Sequence, residues 1–169
     1  MEEKELKEKI RESIKLLFLN DCFLVENDCN ERSVTHKLAE YLQQRINYED
    51  YCVDCEYNKM KGDDLKPYIA KRLNLPINKI DNDDTEAKTV YPDIVIHRRG
   101  NNEKNLLIIE VKKNTNHNQE DINFDIKKIK NYIKELNYEF GLFIKIEKSF
   151  DKTFNNLEWY YRKDYQDNY

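Results

Sequence analysis

At 169 residues and 20.6 kDa the chain has the length of one domain, enough to bury a sizeable core. Charged residues make up 37% and hydrophobic ones 39%, including 12 Tyr and 7 Phe, and with only 3 Gly and 3 Pro a low-complexity chain is excluded. The formal net charge of −4 argues against a protein that coats nucleic acid through a basic face, but net charge bears on association and not on fold or chemistry.

In chain order, residues 3–19 read as a helix, with Leu6, Ile10, Ile14 and Leu17 recurring at helical spacing. A polar break over 21–30 precedes a second helix at about 30–46, whose apolar stripe is Val34, Leu38 and Leu42. Residues 51–58 read as a strand. The stretch 59–89 is irregular: it contains DLKPYIAKRLNL, read as a short helix over 64–75, and the acidic tract DNDDTE. It is treated as an insertion within the domain.

Two strong strand signals follow, VYPDIVIHR and NLLIIEVKK, joined by a turn at 100–104 and therefore expected to pair antiparallel. Ile122, Ile126, Ile129, Ile133 and Leu136 then define a helix. EFGLFIKI is an apolar strand and LEWYYRKDY a weaker one, in a C-terminal segment spanning 147–169. The order implies a single α/β domain over 1–169 with a mixed central sheet flanked by helices.

The chemistry concentrates in the paired strands. Leu106, Ile108, Glu110 and Lys112 share one strand face. A run as apolar as LLIIEV implies a strand covered on both sides, so Glu110 lies at or near the interior. Burial of that charge requires a partner, either Lys112 or a metal ion. From the position of the turn, residue 93 is expected to pair with about residue 112. Asp93, Glu110 and Lys112 would then converge at the open end of the hairpin. Carboxylate oxygens suit Mg²⁺ or Mn²⁺, which lowers the pKa of a bound water and offsets phosphate charge. A lysine beside them can orient the attacking water. Glu31 falls near the centre of the Val34–Leu38–Leu42 stripe and points at the sheet, where it could complete the site. Its spacing from Asp28 also fits a capping box.

Pro92-Asp93, followed 17 residues later by Glu110-Val111-Lys112, resembles the signature of the PD-(D/E)XK nuclease superfamily. The resemblance covers about 28–146 and implies a restriction-endonuclease-like αβββαβ core preceded by an extra N-terminal helix. It further implies that Asp93, Glu110, the Val111 carbonyl and Glu31 are metal ligands and Lys112 the catalytic lysine. The function implied is Mg²⁺- or Mn²⁺-dependent phosphodiester hydrolysis, on DNA rather than RNA, with a homodimer or partner protein offsetting the acidic charge. The alternative is a non-catalytic nucleic-acid-binding or assembly subunit that keeps the fold. Lys113, Arg98 and Arg99 flank the expected site and are candidates for phosphate contacts.

The remaining residues read as structure. Asp125 and Lys128 lie beside the isoleucine stripe, where they could approach the site or the substrate but read rather as a solvated edge. Lys127, Lys130 and Lys134 form a wet face opposite it, at best a weak phosphate-contact surface. Cys52 and Cys55, three apart in a strand, face opposite ways and form no zinc knuckle with Cys22 and Cys29. His36, His97 and His117 have no ligand spacing, and DNDDTE lacks the glycine and late glutamate of a calcium loop. Trp159, Tyr160 and Tyr161 read as aromatics packing an edge strand on the sheet rather than stacking on bases. No apolar run approaches the ~18 residues of a membrane span, and MEEKELKEKI lacks the core of a signal peptide, so the expected location is the cytoplasm.

Overall fold

The computed structural model describes residues 1–64, 66, 68–73, 88–89, 91–115 and 118–165. The acidic tract 81–86 and His117 lie outside these. The first helix, α1 (Glu3–Asn20), buries Leu6, Ile10, Ile14 and Leu17, the residues whose spacing predicts it. Part of the expected break, 21–30, is a short helix, α2 (Cys22–Glu26). Helix α3 (Glu31–Gln43) starts at Asn30, whose side chain accepts from the Arg32 N–H. The Asp28–Glu31 capping box does not form, because Asn30 occupies the cap and Asp28, at φ 52°, turns to Lys113.

Five strands form a mixed sheet: β1 (Cys52–Cys55), β6 (Ile94–His97), β7 (Asn105–Lys113), β8 (Phe140–Ile146) and β9 (Glu158–Tyr161), in that spatial order. β6 pairs antiparallel with β1 and with β7, β8 runs parallel to β7, and β9 closes the edge antiparallel to β8. The parallel step requires a crossover, supplied by α4 (Gln119–Leu136). The helix is capped by Asn118 at its start and by left-handed Asn137 at its end. A short helix, α5 (Phe150–Asn155), links β8 to β9.

The sheet separates two cores. Leu107, Ile109, Val111, Leu142 and Ile144 face α1 and α3, while Val95, Ile108 and Phe143 face Ile129, Tyr132 and Ile133 of α4. This two-sided cover explains why seven consecutive residues of β7 are buried. On β9, Trp159 and Tyr161 pack on one core and Tyr160 on the other, as expected of edge aromatics.

Among the described residues of 64–75 the expected helix is not found. Tyr68–Ala70 form β3 on β2 (Lys59–Lys61), and Arg72–Leu73 form β4 on β5 (Lys88–Thr89). Pro67 removes a backbone donor and disfavours helical geometry at the residue before it, so pairing with β2 prevails over the apolar spacing.

Candidate metal centre and catalytic site

β6 begins only at Ile94, but its antiparallel neighbour β7 runs on past that level to Lys113, and this overhang creates the site. Beyond Ile94 the β7 amides on that side lose their strand partner and need other acceptors. Two carboxylates provide them. Asp93 Oδ2 accepts from the Val111 N–H at 2.7 Å, and Glu31 Oε2 accepts from the Lys113 N–H at 3.0 Å. A strand residue's N–H and C=O point to the same side, so the Val111 carbonyl faces the same gap.

The register differs from the expected one. Ile94 stands opposite Ile109, which brings Asp93 level with Glu110 rather than with Lys112. An irregularity between Ile96 and His97 and the length of the turn account for the two-residue displacement.

Glu110 is 1% exposed and lies on the α4 side of β7. Its partner is not Lys112 but Lys128 of α4, whose Nζ lies 2.6 Å from Oε2. Lys112 instead reaches Asp125 Oδ2 at 2.9 Å and Glu31 Oε1 at 3.3 Å. The Asp125 contact is close but poorly aligned as a hydrogen bond, so charge attraction dominates it. Lys128 Nζ also lies 3.5 Å from Asp125 Oδ1 and 3.4 Å from the Tyr91 carbonyl. Asp125 and Lys128 are therefore buried members of the site and not a solvated edge. The sequence signal that locates them is their place in the buried set 125, 128, 129, 132, 133 and 136. That stripe is displaced from the one drawn through the isoleucines alone.

The site holds four carboxylates (Glu31, Asp93, Glu110, Asp125) and two ammonium groups (Lys112, Lys128). Burial raises the Glu110 pKa well above the usual range, a shift that Lys128 opposes and that Asp93 and Asp125 reinforce. Burial likewise raises Asp93, against the pull of Lys128 and the Val111 amide. Burial lowers the Lys112 pKa, but the close Asp125 carboxylate, with the charges of Glu31 and Asp93, more than reverses this.

The donor set fits one small divalent cation. Glu110 Oε1 is buried and has no hydrogen-bond partner among the described residues. Asp93 spends Oδ2 on Val111 and keeps its other oxygen. Among the described residues no group of three or more His, Cys, Asp or Glu could hold an ion together. Glu31 accordingly joins the site through Lys112 and does not share an ion position with Asp93 and Glu110. Two carboxylates suffice for Mg²⁺, which keeps several waters and uses few protein ligands.

The three residues expected to contact phosphate are placed otherwise. Lys113 Nζ is held by Asp28 Oδ1 and by the Asp28 and Cys29 carbonyls at 2.5–3.0 Å, tying β7 to the loop before α3. Arg98 and Arg99 follow β6 at the turn end of the hairpin, roughly 15–20 Å along the strand from Asp93 at about 3.3 Å per residue. Arg99 clamps Asp54, which also bonds His97 Nε2 at 2.9 Å. An open groove of about 950 Å³ runs between α3 and β1, past Arg32, Ser33, His36, Lys37 and Cys55.

The cysteines are free thiols, and burial pushes Cys55 up to about 11. No helix among the described residues is long and apolar enough to cross a membrane. In comparisons with known proteins, no family model, curated protein or solved structure matches the chain.

Proposed function

We propose that the protein is a Mg²⁺- or Mn²⁺-dependent nuclease with a restriction-endonuclease-like core, acting on DNA. One observation carries this reading: a buried glutamate oxygen without a hydrogen-bond partner among the described residues, level with a second carboxylate, where β7 outruns β6. A structural salt bridge would need neither the free Oε1 of Glu110 nor two extra acids around it, since uncompensated buried charge is costly.

In this reading Asp93 and Glu110 hold the ion with the Val111 carbonyl, and Glu31 and Asp125 hold the lysine. Bound there, the divalent cation would lower the pKa of a water and offset charge on the phosphate. Lys112, between Asp125 and Glu31, stays protonated and supplies a positive charge and a hydrogen-bond donor for the attacking water. Its two acids also restrict its position, which reduces the ordering needed in the transition state.

The decisive experiment incubates labelled single-stranded, duplex and branched DNA, and RNA, with the protein and Mg²⁺ or Mn²⁺. Cleavage is expected with divalent ion, abolished by EDTA, and reduced at least about 100-fold in Lys112→Ala, the order of magnitude for loss of a transition-state donor. Mn²⁺ should raise the melting temperature of the wild type but not of Asp93→Asn. Cleavage unchanged in Lys112→Ala, or a melt indifferent to metal, would overturn the assignment. A second reading, a non-catalytic nucleic-acid-binding subunit, is favoured by the net charge only in part, and by the two lysines being already paired within the protein.

A further inference from the structure

The geometry points to Lys128 as a positioning residue that presents Glu110 to the metal ion, an inference that rests on the nuclease reading above. The argument begins with the two oxygens of one buried carboxylate. Oε2 of Glu110 is engaged by Lys128 Nζ at 2.6 Å, while Oε1 is buried and unpartnered among the described residues. A carboxylate held at one oxygen has its rotation about the side chain fixed, and the other oxygen is thereby aimed. Lys128 is itself fixed from two further sides, by Asp125 Oδ1 at 3.5 Å and by the Tyr91 carbonyl at 3.4 Å. That carbonyl precedes Pro92-Asp93, so a single ammonium links the helix α4, the strand bearing Glu110 and the segment bearing Asp93.

The charges support coexistence rather than competition. Four carboxylates against two ammonium groups leave two negative charges, which one divalent cation balances with Lys128 still in place. An ion taken up by Oε1 need not displace a lysine that holds Oε2. Lys128 therefore acts through Glu110, in the manner of the outer partners that orient metal ligands, and not on the substrate.

Isothermal titration of Mn²⁺ into the full-length wild type, Lys128→Met and Lys128→Arg tests this, with the electron paramagnetic resonance spectrum of bound Mn²⁺ as a second readout. Lys128→Met is expected to bind Mn²⁺ about 10- to 100-fold more weakly with unchanged stoichiometry, the usual effect of removing such a partner. Lys128→Arg, which restores the charge and a donor, should recover most of the loss. Affinity that is unchanged or tighter in Lys128→Met overturns the inference, tighter binding meaning that Lys128 competes with the ion. Should Lys128→Met fail to fold, Lys128→Gln, which keeps a donor without the charge, is read by the same criterion. A folded wild type that binds no Mn²⁺ instead sinks the metal-site reading itself, a result distinct from metal binding that ignores residue 128.

Discussion

Lys71 shows at a single residue how this protein handles buried charge. It is 1% exposed, donates to Tyr138 Oη at 2.7 Å, and its ammonium lies 5.1–5.9 Å from the ring centres of Tyr57, Tyr132 and Tyr138. Three π-faces and one hydroxyl do not replace water fully, and burial lowers its pKa from 10.5 to about 8. The unfolded chain therefore binds the proton more tightly than the folded one. Between about pH 8 and 10.5 the unfolded state holds more protons, so stability rises with pH over that window. The wild type should gain about 2 kcal/mol between pH 8 and 9.5 relative to Lys71→Met, at 1.36 kcal/mol per pH unit and full separation of the states. Urea melts of both proteins at the two pH values check this, and parallel pH dependence would show that Lys71 is not the group responsible. The same accounting, with the sign reversed, applies to Glu110 and Asp93. Their folded pKa values are raised, so each contributes most to stability at low pH and loses that contribution as pH rises, unless a cation is bound.

At the scale of elements, the contact between α4 and β8 determines whether Asp125 and Lys128 reach Glu110 at all. The helix approaches the strand at Gly141, where a Cβ would stand 2.3 Å from Ile129 Cγ2 and 3.0 Å from Ile133 Cδ1. Ile129 is β-branched and stiff, so the helix rather than the side chain would have to yield. Gly141→Ala should cost about 1–3 kcal/mol by overpacking. It should also weaken Mn²⁺ binding, by lifting Lys128 away from β7. A variant as stable as the wild type in a urea melt would show that the interface is looser than these distances indicate. Much of this level was legible in the sequence, because α1, α3 and α4 each bury an apolar face at helical spacing, and β7 and β8 are apolar runs covered on both sides. Asp93, Glu110 and Lys112 were legible for a related reason: charges at the end of a doubly buried strand demand partners. Asp125 and Lys128 were not, because a stripe drawn through the isoleucines alone leaves them at its margin, whereas the face that α4 buries is displaced to include them. The partner of Glu110 was misread in the same way. Alternation places Lys112 on the face of Glu110, but the helix delivers a nearer ammonium. The hairpins of 59–61 with 68–70, and of 72–73 with 88–89, depend on cross-strand pairing and were hidden beneath a helix-like spacing.

For the whole molecule, the question is how a protein of net charge −4 would approach a polyanion. Its candidate site adds to the difficulty, since the carboxylates there outnumber the lysines by two and two of the three expected phosphate-binding residues are spent elsewhere. Lys113 holds the loop before α3, and Arg99 holds Asp54. Under the nuclease reading the cation itself would supply attraction at the site, cancelling the excess negative charge and binding phosphate directly. The sign of the Mg²⁺ effect on binding therefore distinguishes the two functional readings. A protein that binds DNA through lysines and arginines loses affinity when Mg²⁺ is added, because the ion competes for the phosphates. A protein whose acidic site needs the ion gains affinity. Lys112→Ala, which should bind without rapid cleavage, allows the comparison on a labelled duplex at fixed monovalent salt, with Mg²⁺ or with EDTA. Affinity is expected to rise at least about tenfold with Mg²⁺, equivalent to about 1.4 kcal/mol. Weaker binding in Mg²⁺, with normal binding in EDTA, would locate the contacts on exposed basic side chains such as those of the groove between α3 and β1, and would favour the non-catalytic subunit.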